Sequence, residues 1–245
     1  MPLLDYHIDT RLIKATHEAL MRYFGNTSAI CCPRNSIAMS RQRKTRGVKP
    51  HAEGALRIIG GRYRGSKLGY AGDPRVRPMK DRVRESVFNL VGPSIRGKHA
   101  VDLFAGTGAL GLEAISRGAR KATLVECHFP TARIVAENVK TLAVEDRVEV
   151  VTADVFVWAE RFACASDLPQ VVFCSPPYRF YQERAGEMLK LIGTFVERAP
   201  ADSIMVVEAS QEFDCGQLPQ PDAWDVRTYP PAVIALLRLA GRSGQ

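Results

Sequence analysis

Apolar residues in the second half of the chain form short runs that alternate with stretches of helical spacing. Residues 100–104 are mostly apolar, and apolar side chains between residues 109 and 115 then recur at helical intervals. The strands predicted further along the chain are 122–126, 148–153, 170–174 and 203–209, and the predicted helices are 130–143, 155–163 and 181–197. Strands joined by helices pair in parallel, so this order predicts an α/β fold with a mostly parallel sheet.

The first part of the chain follows a different pattern. The helical spacing of residues 10–24 precedes an aperiodic, basic stretch that ends at residue 50. Residues 56–68 predict a β-hairpin around Gly60-Gly61, and a helix is expected over residues 79–91. We therefore expect a poorly defined basic extension over 1–55, a basic hairpin and helix over 56–92, and a catalytic domain over 93–245.

Charge is divided unevenly along the 245 residues. Residues 1–100 hold 20 Lys and Arg against 7 Asp and Glu, a net charge of +13, whereas residues 101–245 hold 14 against 19, a net charge of −5. The two halves give the overall +8. A basic half of this size predicts a polyanionic partner, and nucleic acid is the obvious candidate because neutralising its phosphates releases counterions.

A glycine loop follows the first predicted strand in the sequence VDLFAGTGALG, residues 101–111. Gly106, Gly108 and Gly111 fit the G-x-G-x-x-G pattern, in which glycines let the backbone turn tightly and approach a ligand. Glu126 stands about 20 residues further on, where a carboxylate binds a ribose diol. The pattern alone leaves three interpretations open: a dinucleotide site, an S-adenosylmethionine site, or a turn that only packs helix on strand.

Two further carboxylates favour S-adenosylmethionine, which carries an ammonium and a sulfonium and has no phosphate. Asp102 lies inside the strand before the loop, where a buried carboxylate needs a partner such as that ammonium. Asp154 follows another apolar run and can accept from an adenine amino group. It is equally well placed to cap the helix that begins at residue 155.

A second chemical stretch is VVFCSPPY, residues 171–178, in which an apolar strand stops at two prolines. Proline cannot continue a central strand, so the motif should leave the sheet at its carboxyl edge, beside the glycine loop. Ser175, Pro176, Pro177 and Tyr178 resemble the [D/N/S]-P-P-[Y/F/W] motif of methyltransferases that act on exocyclic amino groups of nucleobases. VDLFAGTG is similar to the cofactor motif of the same enzymes, where Asp102, Phe104, Gly106 and Gly108 would bind S-adenosylmethionine together with Glu126 and Asp154.

The basic segment carries a more specific resemblance. LRIIGGRYRGSKL and RPMKDRVRESVFNLV are similar, nearly residue for residue, to the N-terminal signature of the RsmD-type bacterial methyltransferases of guanine N2 in 16S ribosomal RNA. This family implies a Rossmann-like fold of seven strands, closed here by a hairpin over residues 224–229 and 232–239. It also implies S-adenosylmethionine as cofactor, ribosomal RNA or the small subunit as partner, and a stacking role for Tyr178 on an extruded base.

Phosphate contacts are predicted at arginines of the basic segment. These are Arg62, Arg64, Arg77, Arg82 and Arg84. The six cysteines show no C-x-x-C pair, and the five histidines are scattered, so no metal site is expected. No stretch approaches the roughly 20 apolar residues of a membrane helix. We expect a cytoplasmic monomer.

Ser175 departs from the resemblance, because the guanine-N2 enzymes usually have aspartate at the first motif position. A hydroxyl can accept a hydrogen bond but carries no charge. S-P-P-Y also occurs in cytosine-N4 enzymes that act on DNA. Three alternatives to guanine methylation therefore stay open: methylation of cytosine N4 or of another nucleobase amine, a catalytically weak RNA-binding protein, and an NAD-dependent oxidoreductase that rests on the glycine pattern alone.

Overall fold

The computed structural model describes residues 56–70, 79–162 and 167–240. The predicted basic extension over residues 1–55, its helix, and the predicted phosphate contact at Arg77 lie outside these ranges. No helix among the described residues is long and apolar enough to cross a membrane.

One mixed sheet of seven strands forms the centre of the described chain. The strands are His99–Asp102 (β1), Lys121–Val125 (β2), Val148–Val151 (β3), Gln170–Cys174 (β4), Ile204–Ser210 (β5), Asp225–Tyr229 (β6) and Ala232–Arg238 (β7). Their order is β3-β2-β1-β4-β5-β7-β6, with β1 to β5 parallel and β6 and β7 antiparallel. This topology confirms the predicted Rossmann-like fold and its closing hairpin.

Helices cover both faces of this sheet. They are Asp81–Val91 (α1), Ala109–Ser116 (α2), Phe129–Thr141 (α3), Val155–Phe162 (α4), Phe180–Glu183 (α5) and Ala185–Arg198 (α6). Neighbouring residues of a strand point to opposite faces, so Ala100 packs in one core with α2 and α3 while Val101 packs in the other with α4 and α6. All four residues of β1 are buried, as expected for a parallel strand covered on both sides.

The hairpin predicted over residues 56–68 has less strand pairing than expected. Only Arg57 and Lys67 form a bridge, although Leu68 N also donates to the Leu56 carbonyl over 2.8 Å. Gly61 has a positive φ of 74°, and a Cβ there would overlap with the carbonyl of Ser116 at the end of α2. Glycine at this position therefore lets the backbone of the turn pass close to α2, where Arg62 N donates to the Ser116 carbonyl over 2.8 Å.

Helix α1 begins at Asp81, two residues later than the predicted start. Lys80 is extended, with φ −58° and ψ 142°, so the first helical turn cannot include Met79. The buried face of the helix carries Val87, Phe88 and Val91, as its apolar spacing predicts.

Gly111 in α2 packs against β2 so closely that a Cβ would overlap with the Leu124 side chain, which is fully buried. We expect Gly111→Ala to lower the free energy of unfolding by about 1–3 kcal/mol, because the buried leucine has no space into which to move. Urea unfolding measures this change. Gly186→Ala is the matched control: that glycine is also helical but has open space around it, and its replacement should leave stability unchanged or raise it by less than about 1 kcal/mol. Equal effects of the two variants would contradict this packing role.

Candidate active site

The glycine loop and the S-P-P-Y motif meet at one edge of the sheet. β1 and β4 are neighbours, with Asp102 opposite Phe173, and Leu103 N donates to the Phe173 carbonyl over 3.0 Å. Both chains leave the sheet just beyond this pair. The order of the strands also changes direction between β1 and β4, which is where doubly wound sheets bind ligands.

Asp102 is a buried carboxylate at the base of this edge, with 1% of its surface exposed. Its Oδ2 accepts from Gly111 N over 3.2 Å, while Oδ1 is buried without a hydrogen-bond partner. Removal from water raises the pKa of Asp102 from 3.8 to about 7, although backbone donors oppose this shift. A cationic ligand at this edge would find in Asp102 a carboxylate with an acceptor to spare.

Glu126 holds the glycine loop from the neighbouring strand. Its Oε2 accepts from Gly106 N over 2.9 Å, and its Oε1 accepts from His128 N over 2.8 Å. Gly106 and Gly108 have φ values of 52° and 76°, a region that favours glycine. The loop conformation therefore depends on these glycines and on the carboxylate 20 residues away.

Asp154 caps α4: its Oδ1 accepts from Phe156 N over 2.9 Å. The adenine contact predicted for the same side chain remains a prediction. Glu126 and Asp154 both act electrostatically on Cys127, where they add to burial in raising the pKa of the thiol. Cys127 is therefore a thiol near which both carboxylates lie.

Phe104 lies in an aromatic cluster between the two motifs. Its ring centroid is 6.1 Å from that of Phe156 on α4 and 6.1 Å from that of Phe180 on α5. Arg184 lies over the Phe156 ring at 3.9 Å. Phe104 therefore connects the end of β1 to the helix that follows S-P-P-Y, at the position where the resemblance implies cofactor contact.

The polar side chains of S-P-P-Y both donate hydrogen bonds to Glu208 on β5. Ser175 Oγ donates to Oε2, and Tyr178 OH donates to Oε1 over 3.0 Å. Pro176 is buried, while Pro177 is exposed and its carbonyl accepts from Phe180 N over 2.9 Å. Glu208 was missed by the sequence analysis, although a lone carboxylate within the apolar strand IMVVEAS is the same signal that identified Asp102.

The predicted phosphate-binding arginines separate into two groups. Arg62, Arg64 and Arg82 are exposed. Arg84 is fully buried, so its prediction as a phosphate contact was wrong. Its guanidinium instead donates to the Arg57 carbonyl over 2.7 Å and to Asp81 Oδ1 over 2.9 Å.

Glu113 on α2 is a second buried carboxylate that the sequence analysis missed. It is fully buried and accepts from Ile59 N and Gly60 N over 2.7 Å each, and from Arg117 Nε over 2.7 Å. Arg84 Nε lies 4.0 Å away. These contacts fix the hairpin to the helix that follows the glycine loop.

The residues at this edge fit a cationic ligand better than a phosphate. The loop and the adjoining strand ends contribute Asp102, Glu126 and Asp154, and one buried oxygen of Asp102 is available. Negative side chains repel the pyrophosphate of a dinucleotide but attract an ammonium or sulfonium. Among the described residues, no cluster of three His, Cys, Asp or Glu side chains could hold a metal ion.

Comparisons with known proteins agree with this geometry. Residues 56–228 match the model of a family described as Conserved hypothetical protein 95. The chain is 41% identical over 200 residues to ribosomal RNA small subunit methyltransferase D of Escherichia coli K12, which covers 80% of this chain and 96% of that protein. The Haemophilus influenzae protein of the same name is 37% identical over 134 residues, covering 54% and 68%.

Solved structures show the same architecture. A hypothetical protein from Thermus thermophilus is 28% identical with a TM-score of 0.62, and the match covers 76% of this chain and all of that one. An RNA methyltransferase from Salinibacter ruber, solved with S-adenosyl-L-homocysteine, is 17% identical with a TM-score of 0.51, over 69% and 97% of the chains. The latter likeness is one of fold alone.

Asp102 makes the stability of the ligand-free protein depend on pH. Its pKa of about 7 in the folded chain exceeds the ordinary 3.8, so its contribution to stability is present in full below pH 4 and is lost as pH rises through 7. Asp102→Asn removes this titration. Urea unfolding at pH 5 and pH 8 should show the native protein losing stability relative to the variant, by at most about 1.4 kcal/mol for each pH unit in that window.

The matched control for this measurement is Asp146→Asn, which changes an exposed carboxylate near the amino end of β3. It should leave the pH dependence of the native protein unchanged. A constant difference between the native protein and Asp102→Asn across pH would contradict the raised pKa.

Proposed function

This chain belongs to the RsmD-type family of ribosomal RNA methyltransferases, and from that premise we propose that it methylates the exocyclic N2 amine of a guanine in 16S ribosomal RNA, using S-adenosylmethionine. Residues 93 onward would form the catalytic part. The hairpin and α1, over residues 56–92, would bind the RNA in the cytoplasm, as free RNA or within the small subunit.

The observation that carries the proposal is the position of S-P-P-Y. The motif adjoins the glycine loop at one edge of the sheet, within the segment that matches the family. A donor bound at the loop and a base held by the motif would therefore lie next to each other. Methyl transfer needs little beyond this proximity, alignment and exclusion of water.

The acidic side chains would hold the cofactor. Asp102 would pair with its ammonium, Glu126 with its ribose hydroxyls, and Asp154 with its adenine amino group. When bound, S-adenosylmethionine supplies a methyl group whose C–S bond breaks, with the electron pair going to sulfur, as the new C–N bond forms. Burial of Asp102 and the aromatic cluster around Phe104 would keep water away from the site.

The motif would hold the target amine. The guanine amine is conjugated with its ring, so acceptors for its N–H groups help to direct the nitrogen lone pair at the methyl group. Ser175 Oγ and the Pro176 carbonyl are the acceptors in this proposal, and Tyr178 stacks on the extruded base. Cytosine N4 is the second candidate target, because Ser175 also matches the motif of cytosine-N4 enzymes.

Transfer of labelled methyl groups from S-adenosylmethionine tests the reaction. With small subunits and naked 16S RNA that lack the modification, we expect N2-methylguanosine on nucleoside analysis. Ser175→Asp should also form N2-methylguanosine, because its carboxylate can accept from the amine while one proton is shared with the adjacent Glu208 carboxyl group. Methylcytidine from the native protein would assign the second target, and cofactor binding without any methylated nucleoside would indicate an RNA-binding protein.

Exposed arginines of the hairpin are expected to contact phosphates. Replacing both Arg62 and Arg64 with Ala should weaken RNA binding and lower the slope of log affinity against log salt by about one for each lost contact. Binding titrations at several salt concentrations measure that slope. Arg161→Ala is the control, since Arg161 is exposed on α4, which packs on the other face of the sheet from the hairpin. Equal slopes for native protein and double variant would exclude these contacts.

A further inference from the structure

Glu208 is the buried carboxylate that the proposed mechanism leaves without a role. It lies on β5, beside β4, and 8% of its surface is exposed. Its two carboxylate oxygens accept from the only two hydroxyl groups of S-P-P-Y, one from Ser175 and one from Tyr178. Every polar side chain of the motif therefore depends on this single residue.

Retaining a charge here is costly. Burial raises the pKa of Glu208, and the hydrogen bonds from Ser175 and Tyr178 lower it. The carboxylate does little for the fold elsewhere, because Tyr181 OH donates to the Glu208 backbone carbonyl and not to its side chain. The neighbour of Glu208 across the sheet is Ile234. The carboxylate is thus directed at the motif alone.

The titratable groups around Glu208 are few. Glu208 acts electrostatically on Cys174 of β4 and on Tyr181 of α5, and it accepts hydrogen bonds from Ser175 and Tyr178. Burial raises the pKa of Cys174 to about 12 and raises that of Tyr181 well above its usual value, so both are neutral near pH 7. A small cavity adjoins Glu208, Cys174 and Ser175. The segment before α1, α1 itself and α2 contribute only apolar side chains to its lining, namely Met79, Val87 and Leu110.

This arrangement determines what Ser175 can do. A serine hydroxyl has one proton, and here it is donated to Glu208. The lone pairs of Oγ are then available to a donor on the other side, such as an amine. Without the carboxylate, the hydroxyl could rotate and present its proton to the amine, which would repel the N–H group that it should accept.

We propose that Glu208 is a positioning residue that fixes Ser175 as a hydrogen-bond acceptor for the target amine and supplies the negative charge that serine lacks. The inference rests on the proposed function, since it assumes an amine bound at S-P-P-Y. Ser175 and Glu208, which are 33 positions apart, would together provide the charged acceptor that a single aspartate at the first motif position could provide.

The pair also gives the proton a path. As the C–N bond forms, the amine nitrogen becomes positively charged and must lose one N–H proton. That proton passes to Ser175 Oγ, and the Ser175 hydroxyl proton passes to Glu208, which becomes neutral. The serine ends as it began, and the carboxyl group returns its proton to water after the product leaves.

Glu208→Gln tests this role with a side chain of nearly the same shape. We expect kcat to fall at least tenfold, while the Kd for S-adenosylmethionine and the melting temperature stay close to the native values. The native kcat should also decrease as pH falls through the raised pKa of Glu208, because a protonated carboxyl group has no negative charge and cannot take up the Ser175 proton. The variant should lack that decrease. Glu212→Gln, which changes an exposed glutamate of the same segment, should retain both the native rate and the native pH profile.

A double-variant comparison separates action through Ser175 from a structural role. In Ser175→Asp the first motif residue carries its own charge, so adding Glu208→Gln should cost less than threefold in kcat. An equal loss in the serine and aspartate backgrounds, or an unchanged pH profile, would overturn the inference. These outcomes differ from a failure of the proposed function. If the proposed function were wrong, the native protein itself would form no methylated nucleoside.

Discussion

A carboxylate removed from water needs donors, and this requirement connects the parts of the molecule. Asp102, Glu113 and Glu208 are all buried; Asp102 accepts from the first turn of the next helix, and Glu113 and Glu208 accept from segments distant in sequence. Asp102 holds the start of α2, Glu113 holds the hairpin, and Glu208 holds S-P-P-Y. Losing one of these acceptors would leave backbone N–H or hydroxyl groups unpaired inside the protein, so the three carboxylates act as fixed points around the site.

Glu113 has the widest reach of the three. It joins two backbone N–H groups of the hairpin to Arg117, and Arg84 approaches it from α1. The hairpin with its exposed arginines is therefore attached to the same helix that follows the glycine loop. Helix α2 would therefore fix the position of RNA bound at the hairpin relative to a cofactor bound at the loop.

The sequence predicts most of the strands and helices to within two residues, because each has the period of its own structure and is bounded by glycine, proline or polar residues. What it could not predict were partners far apart in the chain. Arg84 was assigned to the surface because arginine usually lies there. Its buried charge is balanced in part by Glu113, which stands 29 residues further on and comes within 4.0 Å only in the folded chain. Glu208 was missed although it is a charge within an apolar strand, and its partners Ser175 and Tyr178 are known only from the register of β4 and β5.

The far end of the sheet has a consequence of its own. β6 is the edge strand at this end, with β3 at the other, and its first four residues are exposed, with Asp225 and Arg227 paired on it over 2.8 Å. An outer strand offers unpaired backbone groups to any other strand, which is how β-proteins come to aggregate edge to edge. Charged side chains make such an approach unfavourable, because pairing with another strand would remove water from both Asp225 and Arg227. The antiparallel hairpin that completes the sheet thereby also protects this edge against association with the strands of other molecules.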